Sequence, residues 1–154
     1  MDILDKLNER LTIVEGRVCH GGEDYIKKIL RESPVNLPED YINLLKTISG
    51  DENAGIAFQV DGGGEEIFIW SAKLAYERRT REFKLPVYED FINCAWLIGD
   101  DVGDLMFFYG EGKEGFGIYC AEAGDLDIND SAKIADSITE FLVDGVGIDI
   151  AITL

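Results

Sequence analysis

One histidine stands in the chain, His20, next to Cys19 in a glycine-flanked loop. A thiol and an imidazole can act as nucleophile and base, but only if they face each other and a third group orients the base. Adjacency in sequence supplies neither condition, and no orienting group can be named. Zinc has no better case, because Cys19, Cys94, Cys120 and His20 lack ligand spacing. The segment Asp125-Leu126-Asp127-Ile128-Asn129-Asp130 opens as a calcium loop does, with Asp125, Asp127 and Asn129 at positions one, three and five. Position six, where glycine makes the sharp turn, is Asp130; position nine is Lys133; and Asp136 at position twelve is one carbon short of the bidentate glutamate. A helix should precede such a loop, and the residues before this one read as a strand. An acidic loop capping a helix explains the same residues.

Asp100, Asp101 and Asp104 could be taken for a metal or acid–base cluster. Neighbouring strand residues point to opposite faces, which favours a turn with solvated carboxylates. Asp61-Gly62-Gly63-Gly64 lacks the lysine and hydroxyl of a phosphate loop and reads as a hairpin turn. No catalytic residue, metal or cofactor is expected, and enzyme is the losing hypothesis.

Charge is the stronger signal. The formal net charge is -17, and from Glu89 to Leu154 fifteen acidic residues face two basic ones, Lys113 and Lys133. Leu105, Met106, Phe107, Phe108, Phe116, Ile118 and Tyr119 run through that stretch with the spacing of a sheet, so the acid belongs to a folded surface. Such a field repels nucleic acid and steers cationic partners inward. The cluster from Lys73 to Arg81 is read as balancing nearby carboxylates rather than binding nucleic acid. The alternative for the acid excess is solubility alone.

The elements that would carry these residues form one domain over 1–154. A length of 154 residues, an apolar share of 46% and sixteen aromatics suit a single folded core. Three widely spaced cysteines form no disulfide framework, the start is no secretory signal, and no apolar run is long enough for a membrane helix. A cytoplasmic protein with no membrane contact is expected. Ile3, Leu7, Leu11 and Val14 fall on a helical stripe ended by Gly16. Helices are expected again from Glu23 to Arg31, from Pro38 to a stop at Gly50, and from a Ser71 cap to about Phe83. Strands are expected at 56–60, 67–70, 94–98, 104–109 and 116–120, with a glycine-rich loop over 110–115. Asn129 or Asp130 would cap a closing helix with Ile134, Ile138, Phe141 and Leu142 inside, and Val146 to Thr153 would add an edge strand. The expected class is α+β: a predominantly antiparallel sheet of about five to six strands, packed with N-terminal helices and a closing C-terminal helix.

The order of these pieces resembles the SUKH superfamily, the fold of the fungal cell-wall-assembly regulator. Leu37-Pro38-Glu39-Asp40-Tyr41, then Leu44-Leu45 and Ser49-Gly50, is similar to its "LPxxY…L…G" helix. Ile98-Gly99-Asp100-Asp101 with Gly103-Asp104-Leu105 resembles its strand–turn–strand signature, and Gly117-Ile118-Tyr119 the strand after it. Ile134-Ala135-Asp136-Ser137-Ile138 with Glu140-Phe141-Leu142 resembles its "iAdSfeeFl" helix. The match covers 22–143; the segment 71–93 carries no matching signature, and 146–154 runs past the usual end.

The resemblance implies binding rather than catalysis. Bacterial members are chiefly immunity proteins that neutralise polymorphic toxins, often nucleases, and fungal members are regulatory scaffolds. Leu37, Pro38 and Tyr41 would then be architectural, as would Gly99 and Gly103 as turn-formers, Asp104, Asp136, Ser137 and Phe141. The acids left to meet a partner would be Asp100, Asp101, Glu111, Glu114, Glu122, Asp125 and Asp127, with Trp70, Tyr76, Trp96 or Tyr109 as apolar anchors. The expected partner is a basic toxin, a nuclease; the alternatives are a scaffold without a toxin and, behind it, a calcium-binding module.

Overall fold

β-branched and aromatic residues dominate the segments that pair in the computed structural model, which describes residues 2–50 and 53–153. Met1, Asp51, Glu52 and Leu154 lie outside the described residues, and with them both ends of the expected domain over 1–154. Seven strands form one antiparallel sheet in sequence order: β1 (Leu11–Glu15), β2 (Gly55–Val60), β3 (Glu66–Trp70), β4 (Ala95–Asp100), β5 (Leu105–Gly112), β6 (Gly115–Glu122) and β7 (Ala132–Ala135). The helices are α1 (Glu23–Glu32), α2 (Glu39–Ile48), α3 (Ala72–Thr80), α4 (Glu89–Ile92), α5 (Ile138–Leu142) and α6 (Ile148–Thr153). The class is α+β, with one or two more strands than the sequence suggested.

Those strands replace expected helix. The stripe Ile3, Leu7, Leu11, Val14 splits into a short 3-10 helix, Ile3–Lys6, and β1, because Thr12-Ile13-Val14 is a β-branched run that pairs with β2 from Leu11↔Val60 onward. Likewise the expected cap at Asn129 or Asp130 does not start the closing helix. Ala132–Ala135 pairs with β6 as β7, and the cap is Ser137. Its hydroxyl accepts from the Glu140 N–H at 3.1 Å, while the Glu140 carboxylate accepts from the Asp136 N–H at 2.9 Å. The expected edge strand over 146–153 is instead helix α6, since Ile148 and Ala151, three residues apart, are the buried pair.

Both faces of the central strands are covered, as near-continuous apolar runs require. Phe107 meets Phe141 of α5 at 5.8 Å between ring centroids, and Phe108, its neighbour on β5, meets Phe91 of α4 at 4.8 Å. On the α2 side, Trp96 Nε1 donates to the Tyr41 hydroxyl at 3.1 Å, and the Tyr109 hydroxyl accepts from the Ile138 N–H at 3.0 Å. Burial pushes both phenols well above their ordinary values. Asp40 joins α2 to α5, accepting from Thr139 Oγ1 at 2.7 Å. Tyr41 and Phe141 are fully buried, Leu37 packs half-buried against the core, and Pro38 precedes the first residue of α2. At the sheet's far edge, Arg10 ties β1 to the rest through Asp61 and Asp149, each at 2.8 Å.

Candidate functional site

β3 and β4 share only two residue pairs, Phe68↔Asp100 and Ile69↔Gly99, whereas β5 and β6 share eight. At that short junction a Cβ on Gly99 would lie 2.1 Å from the Phe68 carbonyl oxygen. Gly99 is therefore a strand residue required by close backbone approach, not the turn-former expected. Helix α3, capped by the Ser71 hydroxyl accepting from the Leu74 N–H, packs against both strands. Arg78 lies over the Trp70 ring at 4.4 Å and donates to Asp100 Oδ2 at 3.2 Å and to Glu82 Oε2 at 2.6 Å. Trp70 Nε1 donates to the same Asp100 oxygen at 3.2 Å. Arg79 lies over Trp96 and donates to the carbonyls of Ala95 and Ile92 at 2.9 and 2.6 Å; desolvation lowers its pKa. Arg78 and Arg79 thus serve the interior, one paired to carboxylates and the other to backbone, while Arg81, just past α3, pairs with Glu77 at the surface.

Asp100 is consequently no loop carboxylate. It is 9% exposed and held by Trp70 and Arg78, which removes it from the partner-facing acids. Asp101 is half-buried and accepts from the Gly103 and Leu105 N–H groups at 2.8 and 3.2 Å. The left-handed residue of that turn is Val102, at φ 66, rather than Gly103. Three of the four expected anchors, Trp70, Trp96 and Tyr109, are fully buried on central strands. Tyr76 is half-buried, its hydroxyl 2.8 Å from Glu32 Oε2.

Apart from Asp127, the remaining partner-facing acids fall at two ends of the β5–β6 ladder, joined there by Asp104, which was expected to be architectural and is exposed. Asp101, Asp104, Glu122 and Asp125 sit where Leu105 pairs with Glu122; Glu111 and Glu114 sit where Gly112 pairs with Gly115, roughly 24 Å away at ~3.4 Å per residue. Glu111 belongs to β5 and not to a loop. Both bases of the acidic half also lie at the Glu114 end: Lys113 is in the turn, and Lys133 Nζ donates to the Glu114 carbonyl at 3.1 Å while pairing with Asp136. The Glu122 end receives neither.

A strap of two one-turn 3-10 helices, Ala123–Asp125 and Ile128–Asp130, links the ends. The Ala123 N–H donates to the Asp104 carbonyl at 2.8 Å, and Ile128 packs into the space left by Gly110, whose Cβ would lie 2.5 Å from Ile128 Cδ1. Along the strap Asp125 shares a hollow with Glu122 and Asp130, and Asp127 shares a cleft with Asp90, Cys94 and Val87. Asp127 Oδ1 accepts from the Asn129 N–H at 2.9 Å, so the calcium-like stretch is a pair of local turns. Cys94 has its thiol pKa raised by burial and by Asp127 and Asp90.

Among the described residues, no group of three or more His, Cys, Asp and Glu is placed to hold a metal ion, and no helix is long and apolar enough to cross a membrane. What the surface offers is a run of carboxylates, from the Asp101–Asp104 turn through Glu122, Asp125 and Asp130 to Asp127 and Asp90. The sequence reading of this cluster as balancing carboxylates holds for Arg78 and Arg81; it missed the ties of Arg79 to backbone carbonyls, whose signal was a second arginine next to Arg78 on an otherwise featureless helix. The family model described as SMI1 / KNR4 family (SUKH-1) matches residues 22–144. None of the curated proteins compared matches the chain.

Proposed function

Since the chain belongs to the SMI1 / KNR4 family (SUKH-1), we propose that it is a non-enzymatic protein-binding domain of the immunity type, which binds and neutralises a basic toxin, a nuclease by the charge argument. The observation that carries this reading is the uncompensated acid along the strap face: Asp104, Glu122, Asp125, Asp127 and Asp130 are all exposed. A nuclease holds phosphates with lysine and arginine, and a fixed anionic surface of this kind can occupy the same cationic groove. Attraction of that sort raises the association rate by a factor of ~10 to 10³ at low salt. Neutralisation then follows from occlusion and requires no chemistry from this chain. Burial of Asp100, Trp70 and Trp96 supports the division of labour, since those groups hold the sheet and leave the outer acids to the partner. Cytoplasmic residence follows from the same reading, because an immunity protein must meet its toxin where the toxin acts.

Co-expression with the toxin encoded beside this chain is the test. Survival and a stable complex are expected; continued killing with no complex would reject the reading. A complex with a neighbouring protein that has no toxic activity would favour the scaffold alternative.

A further inference from the structure

Resting on that reading, we propose that Leu85 and Val87, flanking Pro86, form the apolar anchor of the partner interface, and that the occupant is a basic protein surface presenting an apolar residue between its cations. Leu85 is 55% exposed and Val87 80%, the highest value among the large apolar side chains described as exposed. They project from a segment that is otherwise pinned. Phe83 beneath them is buried and meets Tyr88 at 4.9 Å, and Phe91 is buried against Phe108. Pro86 opens a one-turn 3-10 helix, Pro86–Tyr88, in which the Tyr88 N–H donates to the Leu85 carbonyl at 2.9 Å. A rigid backbone carrying exposed aliphatic side chains loses little conformational entropy on binding, a property of good anchors.

The surroundings specify the occupant. On one side of the ridge an open hollow of about 350 Å³ has an apolar floor of Phe83 and Ile92, with Glu89 and Lys84 at its rim. On the other side Val87 shares its cleft with Asp90 and Asp127. Cys94 lines the same cleft, its thiol pKa raised first by burial and then by Asp127 and Asp90. Asp127 also joins this cleft to the acidic strap, so ridge and strap make one surface. With Glu89, Asp90 and Asp127 against the single Lys84 around it, the apolar patch has an acidic edge, which fits a cationic partner and disfavours an acidic one. Other exposed apolar groups are weaker candidates: Ile13, Val14, Val18, Val146 and Ile150 lie outside the 22–144 family match, and Leu30 and Val102 stand singly.

The experiment measures affinity for the toxin encoded beside this chain, purified with its own catalytic centre inactivated. The Leu85→Ser, Val87→Ser double variant is compared with wild type and with Ile13→Ser, Val14→Ser on β1. All four positions are exposed, and matching melting curves establish that the variants are folded. The ridge variant should bind about 10- to 100-fold more weakly, as expected for losing two aliphatic contacts, and the β1 variant within about twofold of wild type. A ridge variant that binds like wild type, or a β1 variant that alone loses affinity, overturns this surface while leaving the protein-binding function intact. If the wild-type chain itself fails to bind, the function reading falls and takes this inference with it.

Discussion

Aspartates serve the β3–β4 junction and the strap over β5 in opposite ways. At the junction the strand ladder is two pairs long, and Asp100 is buried against Arg78 and Trp70 to join what backbone pairing leaves open. On the strap, Asp125 and Asp127 are exposed and linked to no basic side chain by the ion pairs described. A carboxylate with a fixed cation and a donor in a dry site is committed to the fold; one in water is available to a partner. Net charge counts both alike and so overstates the acid that a partner can meet.

Substitutions at the junction should therefore cost stability, and substitutions on the strap should cost binding. The largest effect is expected from Asp100→Ala, which leaves the buried Trp70 N–H without its acceptor and removes the inner of Arg78's two carboxylate partners, Glu82 remaining. Urea unfolding should show a loss of about 3 kcal/mol, and a loss below about 1 kcal/mol would erase the distinction. Gly99→Ala should follow, at about 2 to 3 kcal/mol by the same measurement, because its Cβ meets the Phe68 carbonyl. Gly124→Ala on the strap, where nothing lies within 4 Å, should change stability by less than about 0.5 kcal/mol.

Smaller effects sharpen the contrast. Val102 holds a left-handed conformation that a β-branched residue adopts at a cost, so Val102→Asn should raise stability by about 0.5 to 1 kcal/mol in thermal melts. Beneath the strap the buried Cys120 thiol is pushed up to about 12, and Tyr41 and Tyr109 are also raised. Unfolded, these groups release protons at their ordinary values, ~8.5 for a thiol and ~10 for a phenol. At alkaline pH the unfolded state thus binds fewer protons than the folded one, and stability must fall as pH rises above about 9. A melting temperature flat to pH ~11 would contradict that burial. The smallest change is expected at the β1 edge: Arg10→Ala removes a solvent-screened double ion pair, so the melting curve should shift least of all, and less again in high salt.

The contrast also marks what could be read from the sequence. Helices α1, α2 and α3 and the hairpin over Asp61–Gly64 were legible because their signals are local: acids in a first turn, a serine cap, a run of glycines between alternating apolar residues. β1 and β7 were not, since Leu11 and Ile134 fit a helical stripe equally well and only pairing with β2 and β6 decides between the readings. The Ser137–Glu140 cap was present in the sequence as a Ser-x-x-Glu pattern and competed with two earlier caps at Asn129 and Asp130. For the site, adjacency of Asp100 and Asp101 said nothing about their different fates. Those depend on Arg78, which α3 delivers from 22 positions away. The exposure of Val87 likewise rests on where Phe83, Tyr88 and Phe91 anchor their segment.

The central claim is that the exposed acid face of this chain captures a basic protein. Its most direct test is the association rate with the proposed basic toxin, catalytically inactivated, as ionic strength is raised from roughly 0.01 M to 0.15 M, a range over which the screening length shrinks from ~30 to ~8 Å. A fall of about tenfold or more is predicted, diminished in an Asp125→Asn, Asp127→Asn variant that melts like wild type. A rate indifferent to both salt and these substitutions would contradict the account.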